Sequence, residues 1–141
     1  MSGPQRDAAG RTLTVGLWGL TAPVVLLVVA AVVVFVAAAT SDSDAGGYAV
    51  LFALGFLGPA VLASPFPILG WSLRVRHPRG SAVVVLVGGL LLGLVAGPNA
   101  VGELVGGGPS PFAGAALVGV LLAAVLVWSG WRSLALLRPR A

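Results

Sequence analysis

Residues able to bind a metal ion or exchange protons are scarce in this sequence, and the best polar pair is Asn99 with Glu103. Both lie in a Gly- and Pro-rich segment that follows an apolar run. A short re-entrant or surface helix there could direct the Glu103 carboxylate at a cation. A hard cation needs several oxygen ligands, however, and this segment supplies one carboxylate. We therefore favour an ordinary loop acid, and we predict no metal site.

Hydroxyl and imidazole groups are also too isolated to predict catalysis. A serine nucleophile needs a neighbouring base, and neither Ser64 nor Ser129 has one nearby in the sequence. His77 is the single histidine, and no second His, Cys or carboxylate lies beside it to complete a metal site. The sequence therefore predicts a protein that is not an enzyme and carries no cofactor. Ser64, which precedes a pair of prolines, is kept as a weak candidate for a polar site.

The basic residues are grouped in a way that keeps them out of a membrane. Three arginines fall within the short segment 74–79, and each would cost roughly 2.5–3.5 kcal/mol at the centre of a bilayer. This segment must therefore remain on one side of the membrane, and it fixes where the neighbouring apolar runs begin and end. The arginines predicted to determine topology are this group and a C-terminal group: Arg74, Arg76, Arg79, Arg132, Arg138 and Arg140.

Composition places the chain among integral membrane proteins. Of its 141 residues, 58% are apolar and 9% are charged, with a mean hydropathy of +1.06, whereas a soluble domain carries about 25% charged residues. The absence of cysteine excludes disulfides and thiol chemistry. The net charge of +4 is explained by arginines beside membrane spans and anionic lipid, so no nucleic-acid partner is predicted. Cations that are all arginine, with abundant Ala, Gly, Val and Pro, indicate a GC-rich gene and a bacterial origin.

Four apolar runs are long enough to cross a bilayer as helices, because about 20 residues cross about 30 Å of hydrocarbon. The predicted spans cover residues 13–40, 48–73, 81–101 and 112–131, within a transmembrane domain at 13–137 flanked by tails at 1–12 and 138–141. The fold class is an all-α membrane protein, a four-transmembrane-helix bundle. Pro59, Pro65 and Pro67 predict a kink or break in the second span near residues 64–67.

The first span has an alternative interpretation as a cleaved secretory signal. A basic start and the small residues at 36–39 would suit one. Its uncharged run is far longer than the roughly 7–15 apolar residues of a signal peptide. We therefore favour a retained span.

Charge and aromatic placement agree on one topology. Four crossings put all eight arginines on one face and Asp42, Asp44 and Glu103 on the other, whereas three or five crossings would put an arginine cluster on each face. The four tryptophans fall on the arginine face. Because basic residues accumulate in cytoplasmic loops, both termini are predicted to be cytoplasmic, in a multi-pass protein of the plasma membrane.

Small residues recur at four-residue spacing on the last two spans. They are Gly89, Gly93 and Gly97 on the third span and Ala115, Gly119 and Ala123 on the fourth. Such stripes let helix backbones approach closely. Packing inside the bundle is favoured over a homodimer seam, because four helices in one chain already offer partners.

The favoured function is that of a structural or accessory membrane protein that acts through helix packing with itself or with a membrane partner. The alternative is a small transporter or channel subunit, with a path along the Pro-broken second span and the Gly-rich third span. A hydrated cavity lined by Ser64, Pro65 and Asn99 would favour transport, and a dry, tightly packed interior would favour the accessory role. A membrane enzyme is least favoured, because the spans contain no Asp, Glu, His or Lys.

Overall fold

The computed structural model describes residues 3–40, 46–106 and 111–138, and the chain is helical through almost all of them. The five helices are α1 (Gly3–Ala39), α2 (Gly46–Ala63), α3 (Pro65–Arg76), α4 (Pro78–Val105) and α5 (Pro111–Leu136). Within the described part, four stretches are long and apolar enough to cross a membrane: Gly3–Ala39, Val50–Arg76, Pro78–Val105 and Gly114–Leu136. The prediction of an all-α chain with four such helices is confirmed.

The second of these stretches is interrupted where the prolines predict. Helices α2 and α3 meet at Ser64, which keeps helical dihedral angles (φ −57°, ψ −32°), and Pro65 opens α3. Proline has no backbone N–H, so the helical ladder is broken at this point. Because Ser64 itself stays helical, the interruption is a local kink within one spanning segment and not a reversal of the chain.

Helix α1 extends well beyond the predicted first span. Residues 3–12, which the sequence assigns to a tail, are helical and continuous with the apolar part. At 37 residues, α1 is about 55 Å long at about 1.5 Å per residue, against about 30 Å of hydrocarbon. Ala9 and Leu13 are buried on this extension, so packing against the rest of the bundle holds the polar segment in helical form.

One end of the bundle brings together the start of α1, the junction of α3 with α4, and the end of α5. We call this the arginine end. The Arg74 side chain of α3 contacts Thr14 of α1, and the Arg79 side chain of α4 contacts the carbonyl of Leu137, just past α5. Only His77 separates α3 from α4, which makes this a very tight connection.

The buried residues of the main apolar core lie in the half of the bundle near the arginine end. They come from α1, α4 and α5 and are Leu13, Leu17, Leu20, Ala82, Val85 and Leu126. Toward the opposite end, the buried apolar residues that the structure describes are alanines: Ala31, Ala53, Ala60, Ala96 and Ala100. Helix α2 packs on α1 and joins α3, but over the described residues none of its Cα atoms lies within 8 Å of a Cα atom of α4 or α5. The four spans therefore share one core only near the arginine end.

Candidate functional site

At Gly89, helices α4 and α5 come so close that an added Cβ would clash with the facing backbone. A Cβ added there would lie 2.7 Å from Leu126 Cβ and 2.9 Å from the backbone nitrogen of Val127. Gly93 lies one turn further on, where an added Cβ would be 3.6 Å from Ala123 Cβ, an ordinary contact distance. The absence of a side chain at Gly89 thus permits the two backbones to meet.

Helix α5 supplies glycines to the same seam. A Cβ on Gly130 would lie 2.8 Å from the backbone nitrogen of Leu86, and one on Gly119 would lie 3.0 Å from Ala96 Cβ. Sequence reasoning missed Gly130, because a strict four-residue step from Ala123 leads to Val127. A heptad-like spacing of 119, 123, 126 and 130 would have found it.

Two members of the predicted stripes lie outside the seam. Among the described residues, no atom of a neighbouring helix lies within 4 Å of a Cβ placed on Gly97. Ala115 is exposed. The seam between α4 and α5 therefore uses Gly89, Gly93, Gly119 and Ala123 of the predicted set, together with Gly130.

Helix α1 is fitted to its neighbours by a second group of glycines, which sequence spacing did not single out. A Cβ on Gly70 of α3 would lie 2.6 Å from Leu17 Cδ2, and a Cβ on Gly88 of α4 would lie 2.7 Å from Leu20 Cδ2. Gly16 is itself such a position, because its added Cβ would be 2.6 Å from both Ser129 Oγ and Val85 Cγ1. Leucines of α1 thus fill spaces that glycines leave on α3 and α4.

Polar groups inside the bundle are serine hydroxyls on α4 and α5. Ser81 is buried and donates to the Gly70 carbonyl at 2.7 Å, which ties α4 to α3. Ser129 is buried and donates to the Leu126 carbonyl at 3.0 Å within its own helix. The buried Ser133 hydroxyl has no hydrogen-bond partner among the described residues. None of these serines has a base beside it in these contacts, so their observed role is packing and hydrogen bonding.

Two of the weak polar candidates, Ser64 and Asn99, donate side-chain hydrogen bonds to nearby carbonyls of the same helical segment. The Ser64 hydroxyl donates to the Val61 carbonyl at 2.8 Å. That carbonyl is the helical acceptor that residue 65 would use if it were not proline. Asn99 is exposed and its side-chain nitrogen donates to the Val95 carbonyl at 2.6 Å. Ser64 therefore repairs the helix at the kink.

Glu103 lies in the last turns of α4 and not in a loop. The expectation of an ordinary loop acid is wrong on this point, because α4 continues through Pro98 to Val105 with Ala96 and Ala100 buried against neighbouring residues. Among the described residues no group of three or more His, Cys, Asp or Glu could hold a metal ion. Asp42, Asp44 and Arg140 lie outside the described residues.

At the arginine end, tryptophans and arginines form a connected cluster between α1 and α3. The Arg74 guanidinium donates to Thr14 Oγ1 at 2.8 Å and lies 5.0 Å from the centre of the Trp71 ring. Trp71 Nε1 donates to Thr21 Oγ1 at 3.1 Å, and its ring meets Trp18 edge to face with 6.0 Å between centroids. One guanidinium, two indole rings and two hydroxyl groups thus join these two helices.

The same pairing of arginine with tryptophan recurs on α5. The Arg132 guanidinium lies 5.1 Å from the Trp128 ring centre, and that of Arg138 lies 5.9 Å from the Trp131 ring centre. Trp128 and Trp131 are both more than half exposed. Stacked pairs with an apolar ring and a charged head suit a membrane–water interface.

A recess of about 690 Å³ opens at the arginine end. It is bounded by the first turns of α1, the junction of α3 with α4, and Leu137. Its polar side chains are Arg6, Arg74, Arg76, Arg79 and His77. Two of these arginines are held in place: Arg74 by Thr14 and Trp71, and Arg79 by two hydrogen bonds to the Leu137 carbonyl, at 3.0 Å from Nε and 2.6 Å from Nη2.

A second opening, of about 470 Å³, lies deeper, where α2 diverges from α4. It is lined by apolar residues of α1 to α5 that include Pro23, Pro59, Phe66, Gly88 and Val95. Neither Ser64 nor Asn99 lines it. This opening is therefore suited to hydrocarbon and not to water or ions.

No family model matches the chain, and neither a curated protein nor a solved structure matches it.

Proposed function

We propose that this chain is a multi-pass protein of a bacterial cell membrane, with the arginine end and both termini in the cytoplasm, and that it serves as a structural or accessory subunit. It would act by packing its helices against a second copy of itself or against another membrane protein. The grouping of Arg6, Arg74, Arg76 and Arg79 at one end of the bundle supports this orientation, because cytoplasmic segments carry the excess of arginine.

The observation that carries the accessory role is the nature of the interior. Near the arginine end, leucine side chains of α1 pack against glycines of the neighbouring helices, Leu17 against Gly70 and Leu20 against Gly88. The buried hydroxyls of Ser81 and Ser129 are already bonded to backbone carbonyls. In a protein with such an interior, the outer faces of the helices are the surfaces available to bind a partner.

Transport is the weaker alternative. A path for a polar solute needs polar groups along its length, and the deep opening beside the second span is lined by apolar residues over the part of the chain that the structure describes. The groups expected to line a hydrated path, Ser64 and Asn99, are bonded to carbonyls of α2 and α4 instead.

A photo-crosslinking scan in native membranes tests the accessory role. Amine-reactive reagents are unsuitable because the sequence has no lysine, so a benzophenone amino acid is placed at one exposed leucine at a time. Leu62 of α2, Leu94 of α4 and Leu121 of α5 are 78%, 70% and 67% exposed and serve as matched positions on different faces.

A packed partner should give one discrete product, larger than the 14.0 kDa chain, from one of these faces and not from the others. Mass spectrometry of that product would tell a second copy from a different protein. Adducts with lipid alone at all three positions would contradict the proposal.

A further inference from the structure

The recess at the arginine end gathers positive charge from parts of the chain that are distant in sequence. The segment 74–79 provides three arginines, and α1 adds Arg6. Sequence alone counts three charges there, which is below the roughly 4–8 clustered basic residues that mark recognition of an anionic headgroup. Folding therefore brings the cluster up to that range.

Among the described residues, no acidic side chain lines the recess to offset this charge. The described lining residues are the four arginines, His77 and small or apolar residues, with no Asp or Glu among them. Over the part of the chain that the structure describes, an anion entering the recess would meet four arginines and no carboxylate side chain.

Part of the site is already ordered. Arg74 is fixed by the Thr14 hydroxyl and the Trp71 ring, and Arg79 is fixed by the Leu137 carbonyl. Each uses only some of its N–H donors in these contacts. Arginines fixed in advance lose less side-chain entropy on binding, and the planar guanidinium suits the paired oxygens of a phosphate.

The volume of the recess and its position beside the tryptophans also suit the binding of a phosphate group. A volume of about 690 Å³ falls within the roughly 300–1,000 Å³ of small-molecule sites. The recess lies beside Arg74, which stacks on Trp71, and Trp71 meets Trp18. Tryptophans concentrate at the level of lipid headgroups.

We propose that this recess binds a phosphate-bearing anion, supplied either by the headgroup of an anionic lipid or by free phosphate. The lipid source rests on the membrane insertion proposed above, whereas the free-phosphate source does not.

Binding is measured on the full chain in a neutral detergent. The lipid probes are short-chain phosphatidylglycerol, which is anionic, and short-chain phosphatidylcholine, which is not; inorganic phosphate is titrated separately. The recess variant is Arg6→Gln with Arg76→Gln, both exposed positions. The control variant is Arg11→Gln with Arg132→Gln, which removes the same charge from exposed arginines outside the recess.

We expect the recess variant to bind phosphatidylglycerol about tenfold more weakly than the unaltered chain, and the control variant to differ by less than about twofold. Direct hydrogen bonds from arginine to a phosphate contribute more binding energy than the screened attraction of arginines elsewhere on the surface. If the recess variant alone also binds inorganic phosphate more weakly, free phosphate is a sufficient ligand for the recess. Selective loss with phosphatidylglycerol alone would assign the headgroup.

Equal weakening by both variants, or no binding of either anion, would overturn the proposed site. Circular dichroism of both variants confirms that helicity is retained. Failure of the proposed membrane location is detected separately, as release of the unaltered chain from membranes by alkaline carbonate.

Discussion

Gly89 is one of two glycines, with Gly130, whose missing side chain lets the backbones of α4 and α5 meet. An added Cβ would approach the backbone nitrogen of Val127 to 2.9 Å and Leu126 Cβ to 2.7 Å, and backbone atoms move less readily than side-chain ends. We expect Gly89→Leu to lower the free energy of unfolding in detergent by about 1–3 kcal/mol, the usual cost of overpacking. Unfolding of the purified protein by SDS titration measures it.

Gly97→Leu is the matched control on the same helix. It makes the identical change where, within the described part of the chain, no atom of another helix lies within 4 Å of the added Cβ. Its expected effect is within about 1 kcal/mol of zero, because the higher helix propensity of leucine is opposed by crowding between the new Cβ and the ring of Pro98, which follows it. Equal losses at Gly89 and Gly97 would remove the close approach as the explanation. The four-residue spacing in the sequence predicts the same packing role for both glycines. The position of the contact between α4 and α5 in the structure distinguishes Gly89 from Gly97.

The second spanning element depends on a local repair at its kink. Pro65 cannot donate to the Val61 carbonyl, and the Ser64 hydroxyl donates there instead. We expect Ser64→Ala to cost about 1 kcal/mol, because the carbonyl loses its partner in a water-poor setting. In a Pro65→Ala background the backbone N–H is restored, so the same change should cost almost nothing. A double-mutant cycle of unfolding free energies measures this coupling.

Ser72→Ala provides the comparison on the same spanning segment. Its hydroxyl donates to the Leu69 carbonyl at 3.0 Å with the same three-residue step, but the residue that follows it is Leu73, which keeps its own N–H. Its loss should therefore change stability by less than about 0.5 kcal/mol. A cycle at positions 64 and 65 with no coupling would mean that the Ser64 bond does not serve the kink.

The sequence predicted which helices form, but not where each helix begins and ends. Length and apolar composition predicted four spanning helices, and the prolines predicted the kink at Ser64. The helical form of residues 3–12 was not predictable, because it depends on the burial of Ala9 and Leu13 against distant residues. The same holds for the candidate site: the arginine segment 74–79 stands out in the sequence, whereas the arrival of Arg6 beside it is a consequence of tertiary packing.

At the scale of the whole molecule, the uneven placement of arginine predicts which way the bundle lies in the membrane. The chain has no cysteine, so single cysteines can report exposure to a membrane-impermeant maleimide in intact cells. Val75, 88% exposed at the arginine end, should be labelled as Val75→Cys only after the membrane is opened. Ser43→Cys, between the first two spans, should be labelled from outside. Reversed or equal labelling would contradict a cytoplasmic arginine end.

Leu26→Cys separates a true membrane barrier from poor reactivity in this experiment. Leu26 is 67% exposed on the apolar part of α1, so a soluble bundle would leave it open to the reagent. In a bilayer the hydrocarbon excludes water and suppresses the thiolate needed for reaction. We expect Leu26→Cys to stay unlabelled in opened membranes and to react once SDS unfolds the chain. Labelling of Leu26→Cys in opened membranes at the rate of Val75→Cys would mean that α1 does not cross lipid.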